Sequence, residues 1–245
     1  MQRLSFLFLL WAFAQPGLAA GSFVSYGVDS ERFEGYFVSP AADAPLILLV
    51  HDWDGLTDYE VKRSQMMAEL GYAVFAADLF GAGVRPTKVE DRRQHTGELY
   101  KDRAKMRALM NGALAAAAAK GADVGNAVAM GYCFGGAAVL ELARSGSEMR
   151  GFVTFHGGLA TPEGQDYSQV GGEILVLHGT ADAAITMEQF AGLAKELEQA
   201  GVRHEMISYS GAPHAFTVFG DPRYREDADR KSWERFTAFL RQQLK

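Results

Sequence analysis

Gly131-Tyr132-Cys133-Phe134-Gly135-Gly136 joins the apolar run Ala127-Val128-Ala129-Met130 to the helix-forming segment Ala137 to Arg144. The order is strand, tight turn, helix. In a nucleophile elbow the turn residue is strained, its side chain is pushed outward, and the helix folds back against the strand. Such closeness demands neighbours without side chains, and Gly131 and Gly135 stand two residues before and two after Cys133. The spacing is G-x-C-x-G, with sulfur where oxygen is usual. At the amino end of a helix the free N–H groups favour negative charge, so Cys133 is either a reactive thiolate or an inert buried cysteine of a glycine-rich turn, and the five-residue pattern alone does not choose.

The cysteine count sharpens this reading. Residues 1–20 have the three parts of a secretory leader: Arg3, the apolar stretch Leu4 to Ala14, and small residues ending at Ala19-Ala20. The apolar stretch is short for a membrane span. A mature chain of residues 21–245 working outside the cytoplasm, secreted or periplasmic, is therefore expected, with no membrane attachment after cleavage. Oxidising compartments pair cysteines, yet this chain has a single one, which is either buried or kept for chemistry.

At 245 residues and 48% hydrophobic composition the chain suits one large α/β domain. A net charge of −6 without long basic runs argues against nucleic acid or anionic membranes as partners and for a small molecule. The histidines are scattered rather than clustered, so neither a metal nor another cofactor is expected.

Along the chain, Phe23 to Val38 alternates as an opening hairpin turning at Asp29-Ser30. Pro45 to Val50 is a continuous apolar run of the kind buried on both faces of a parallel sheet. Thr57-Asp58-Tyr59-Glu60 forms a capping box for a helix with a Val61, Met66, Met67 and Leu70 stripe, and Tyr72 to Asp78 is the next strand. Residues 81–103, with Gly81, Gly83, Pro86 and mixed charge, read as a polar excursion over the sheet edge, in which one of the arginines, Arg85, Arg92 or Arg93 among them, could receive a substrate carboxylate. An alanine-rich helix, Met106 to Lys120, feeds the strand before the elbow. Gly151 to His156 is a further strand, and Ile174 to Asp182 is a buried strand that runs into a glycine-containing loop. His156 reads as a loop histidine. The closing helix, Glu226 to Leu244, buries Trp233, Phe236, Phe239 and Leu240.

Two loops carry the remaining chemistry. Asp182 lies just beyond a buried strand, where α/β folds collect catalytic groups, and Thr186 with Gln189 caps the next helix, leaving Asp182 free. His214 follows in the Pro213-His214-Ala215-Phe216 loop. The chain order nucleophile, acid, histidine is that of α/β-hydrolases.

With these residues in place, the sequence resembles the dienelactone hydrolase family over nearly its whole mature length. The segments that carry the likeness are the Gly-Tyr-Cys-Phe-Gly-Gly elbow at 131–136, His-Gly-Thr-Ala-Asp at 178–182 and Pro-His-Ala-Phe at 213–216. The resemblance implies an α/β-hydrolase fold, mostly parallel with helices on both faces, and a triad of Cys133, Asp182 and His214. It further implies that Asp52, standing where the family commonly has a glutamate one methylene longer, holds and activates the cysteine. Trp53 and Phe134 would supply the oxyanion-hole N–H groups. Of the two substrate-binding arginines of dienelactone-specific members, Arg85 matches the first, and no arginine follows His214 closely. The expectation is a monomeric hydrolase of small esters or lactones working through a thioester acyl-enzyme. A general carboxylesterase or thioesterase on the same triad, or a non-catalytic binding protein of this fold, are the alternatives.

Overall fold

The computed structural model describes residues 20–245. The expected leader at residues 1–20 therefore lies, apart from Ala20, outside the described residues. The hairpin forms as read, β1 (Ser22–Val28) against β2 (Glu31–Val38), with Asp29 supplying the positive φ of the turn, 51°. Then β3 (Pro45–Val50), β4 (Ala73–Ala77), β5 (Asp123–Tyr132), β6 (Gly151–Phe155), β7 (Glu173–Gly179) and β8 (His204–Tyr209) complete an eight-stranded sheet. Its order is β1-β2-β4-β3-β5-β6-β7-β8, antiparallel at the β1-β2-β4 end and parallel from β4 to β8.

The apolar runs explain the layers. In β3, Leu46, Leu48 and Val50 face one side and Ile47 and Leu49 the other, all fully buried. The first side packs under α3 (Arg103–Ala119), α4 (Phe134–Arg144) and α5 (Met187–Ala200) through residues such as Met106, Leu140 and Leu193. The second packs under α1 (Asp58–Ala68) and α6 (Glu226–Gln243) through Met67, Phe236 and Phe239. Each such aliphatic or aromatic side chain contributes roughly 1.5–3 kcal/mol by leaving water, so the two-faced pattern fixes the strand register.

Several expectations need correction. Residues 81–103 are not an irregular excursion, because Val89–Lys101 forms α2. That helix buries only Thr96 and Leu99 and has no side-chain cap, so its sequence carries almost no amphipathic stripe. On α1 the expected stripe is also displaced. Leu70 is exposed and Val61 and Met66 are half-buried, whereas Glu60, Arg63 and Ser64 lie inside. Trp233 is only partly covered on α6. Both capping boxes, at Thr57/Glu60 and Thr186/Gln189, are present as read.

Candidate active site

The elbow forms where β5 delivers Cys133 to the first turn of α4. Cys133 adopts φ 51° and ψ −112°, a region costly for any residue with a side chain, and surrounding hydrogen bonds hold it there. Its N–H donates to Phe155 O at 3.1 Å and its carbonyl accepts from Gly136 N at 3.1 Å. The glycines are required by space. A Cβ on Gly131 would stand 2.3 Å from the Gly135 carbonyl carbon, and one on Gly135 would stand 2.2 Å from Val50 O on the neighbouring strand.

The loops after β7 and β8 bring the two other groups to the sulfur. His214 Nε2 lies 3.1 Å from Cys133 Sγ, and His214 Nδ1 lies 2.8 Å from Asp182 Oδ2. Asp182 Oδ1 accepts the N–H groups of Ala184 and Ile185, both at 2.9 Å, which fixes the carboxylate plane. Burial alone would depress the His214 pKa, but the bonds to Asp182 and Cys133 outweigh it and push it up to about 10. Burial likewise opposes ionisation of Asp182, and the bonds from His214 and the two backbone N–H groups hold its carboxyl below the usual carboxylate range. The two shifts have one shared cause, the His214–Asp182 hydrogen bond, which favours the charged form of each partner.

Asp52 is brought to the same cavity but does not bond the sulfur. Its Oδ1 accepts the N–H of Asp54 at 3.1 Å, a local turn that bends the short side chain back onto its own loop. Burial, then the neighbouring Asp54 and Glu60, pushes the Asp52 carboxyl well above its ordinary value. The N–H groups of Trp53 and Phe134 donate to no protein acceptor among the described residues. The Asp52–Trp53 peptide is held by His51, whose Nδ1 lies 2.6 Å from Asp52 O while its Nε2 accepts Leu79 N–H at 3.1 Å. With Nε2 an acceptor, Nδ1 must be the donor, so the neutral tautomer is fixed by backbone on both sides.

Arg85 does not reach the cavity, correcting the expectation from the sequence. Its guanidinium donates to Val84 O at 2.7 Å and lies 3.7 Å from the fully buried Asp78 carboxylate, and Arg85 is not among the residues that line the cavity. The arginines that do line the cavity of about 460 Å³ are Arg92, Arg93 and Arg223. Arg223 stands nine residues after His214 in sequence and reaches the mouth because the chain folds back through a turn at Gly220, φ 78°. Trp53, Tyr100, Phe134, Ile185 and Val218 form apolar walls.

Behind His214 lies a buried polar strut that the sequence did not signal. His156 is no solvated loop residue: it is fully buried, has φ 41°, and its ring packs edge-on against His214 at 5.3 Å between centroids. His156 Nε2 lies 2.8 Å from Thr217 Oγ1, and Tyr59 OH lies 2.8 Å from the same oxygen. Arg63 donates to Thr217 O at 2.8 Å and to Asp229 Oδ1 at 2.5 Å. Thr217 follows His214 by three residues, so the histidine loop is pinned from α1, β6 and α6 together.

The chain matches the model of the dienelactone hydrolase family over residues 33–244 and belongs to that family. The sheet and its covering helices are the α/β-hydrolase fold. Among solved structures it is similar to a dienelactone hydrolase-like promiscuous phosphotriesterase from metagenomic libraries, at 29% identity and a TM-score of 0.86, covering 94% of this chain and 100% of that one. It is also similar to an Escherichia coli (strain K12) protein named "Putative carboxymethylenebutenolidase", 22% identical over 233 residues, 90% of this chain and 86% of that protein. Among the described residues no helix is long and apolar enough to cross a membrane, and no group of three or more His, Cys, Asp or Glu residues has the geometry to hold a metal.

Proposed function

We propose that this hydrolase cleaves small esters or lactones through a Cys133-His214-Asp182 triad and a thioester acyl-enzyme. The observation that carries the reading is the unbroken chain from Sγ through the imidazole to a buried carboxylate. With His214 doubly protonated, the sulfur accepts its Nε2–H and attacks as thiolate. The sulfur–carbon bond forms, the carbonyl π electrons move to oxygen, and the N–H groups of Trp53 and Phe134 receive the oxyanion. Collapse breaks the bond to the leaving oxygen, which takes the Nε2 proton. His214, now neutral, takes a proton from water as that water attacks the thioester, and the thiolate leaves to restore the resting pair.

Asp182 orients the ring and stabilises its charged form throughout. Asp52 does not touch the sulfur, and its burial favours the neutral carboxyl, which lessens negative charge beside the developing oxyanion. The test is hydrolysis of p-nitrophenyl acetate, a thioester and a dienelactone by the mature protein, Cys133→Ala and His214→Ala. Turnover lost in both variants supports the triad, and the preferred panel member assigns the substrate class. Equal rates in all three proteins would overturn it.

A further inference from the structure

Resting on that reading, we propose that Asp221 and Asp54 set the charge preference of the cavity, by engaging its arginines in advance and so making it a site for neutral acyl groups. Three arginines line it, Arg92, Arg93 and Arg223, and two of them are already occupied. Arg223 Nε lies 2.9 Å from Asp221 Oδ1 and Nη2 lies 2.7 Å from Oδ2, while the Arg223 backbone N–H donates to Oδ1 at 2.8 Å. The planar fork that would receive a substrate carboxylate is thus filled by one two residues away. Arg92 Nη2 lies 3.5 Å from Asp54 Oδ2, its Nε donates to Pro86 O at 2.9 Å, and its guanidinium rests over the Trp53 ring at 5.3 Å.

Arg93 has no acidic partner among the described residues; like Arg223 it is exposed, where water and salt screen its attraction, and it lacks the fixed carboxylate that Arg223 carries. At Arg223 an entering carboxylate would give up its own hydration to compete with a protein carboxylate that already has the bidentate geometry, and at Arg92 it would compete with the single 3.5 Å contact from Asp54. Exchange of one anion for another gains little, and the desolvation of the newcomer is lost. A neutral acyl chain meets no such competition and has Tyr100, Phe134, Ile185 and Val218 to lie against.

The experiment compares p-nitrophenyl butyrate with p-nitrophenyl hemisuccinate, near-isosteres in which a terminal methyl becomes a carboxylate, in wild type and in Asp221→Asn, Asp54→Asn and Asp221→Asn/Arg223→Gln. Wild type is expected to favour butyrate by about tenfold in kcat/KM, and each single Asn variant to move the ratio about three- to tenfold toward hemisuccinate. The double variant should lose the Asp221→Asn gain, which separates release of Arg223 from mere removal of a negative charge. Wild-type preference for hemisuccinate, or a ratio that neither Asn variant moves while hydrolysis still depends on Cys133, would overturn the inference and leave the triad standing. Absence of any Cys133-dependent turnover of either ester would overturn the hydrolase reading and this inference together.

Discussion

Of the two backbone N–H groups assigned to the oxyanion, only that of Phe134 belongs to the elbow. The other, from Trp53, depends on a peptide whose carbonyl accepts from His51. A carbonyl so engaged fixes the plane of its peptide and polarises the N–H on the same unit. His51→Phe keeps the ring packing against Phe80 and Phe134 but removes both backbone bonds. It is expected to lower kcat about tenfold to a hundredfold while KM stays within about twofold, read from steady-state kinetics. A KM rise with kcat intact would assign His51 to binding. Glu60 yields a second residue-scale prediction. Burial raises its carboxyl from 4.5 to about 7, against the bonds it accepts from Thr57. Between those values the native chain holds a proton that the unfolded chain releases, so stability falls as pH rises from about 4.5 to 7. Asp52, also raised, acts in the same direction. Glu60→Gln, whose amide oxygen can still accept from Thr57, should therefore gain more in melting temperature at pH 8 than at pH 5. An equal gain at both would contradict the assignment.

At the scale of elements, α1 does more than cover the sheet. Its buried Arg63 grips the His214 loop at Thr217 and the first turn of α6 at Asp229, a charge only 1% exposed. Removing one partner of such a pair strands the other, so Arg63→Met should cost about 3–5 kcal/mol in urea unfolding, with Arg63→Met/Asp229→Leu recovering a large part. No recovery in the double variant would place the energy in the Thr217 contact instead. These are also the features that sequence patterns could not reveal. A capping box, an apolar run or a glycine pair is local and follows from steric rules, which is why the elbow, both capped helices and the hairpin could be read directly. Arg63, His156 and Thr217 meet only because three elements converge, and an arginine on a buried face shared with Glu60 and Ser64 gives no local sign that its partner lies in α6. The α2 helix escaped for the opposite reason, since almost none of it is buried.

In the whole molecule, the same contrast decides which site residues were legible. Cys133, Asp182 and His214 each stand at the carboxyl end of a strand or in the loop just after it, so chain order and the parallel sheet suffice to bring them to one edge. The arginines do not follow that logic. Arg85 is drawn away by Asp78, whose carboxylate also accepts N–H groups from Glu34, Phe80 and Gly81, while Arg223 returns to the cavity from beyond a second turn. Proximity in sequence to His214 was a poor guide because the loop doubles back. The central claim, a thioester on Cys133 resolved by His214, is tested most directly by the mass of intact protein quenched in acid during incubation with p-nitrophenyl acetate. In His214→Ala, where the proposed base for water is gone, one acetyl group is expected on Cys133, released by hydroxylamine and missing from Cys133→Ala/His214→Ala. Wild-type turnover with Cys133 never acylated in either protein, and with the rate retained in Cys133→Ala, would contradict it.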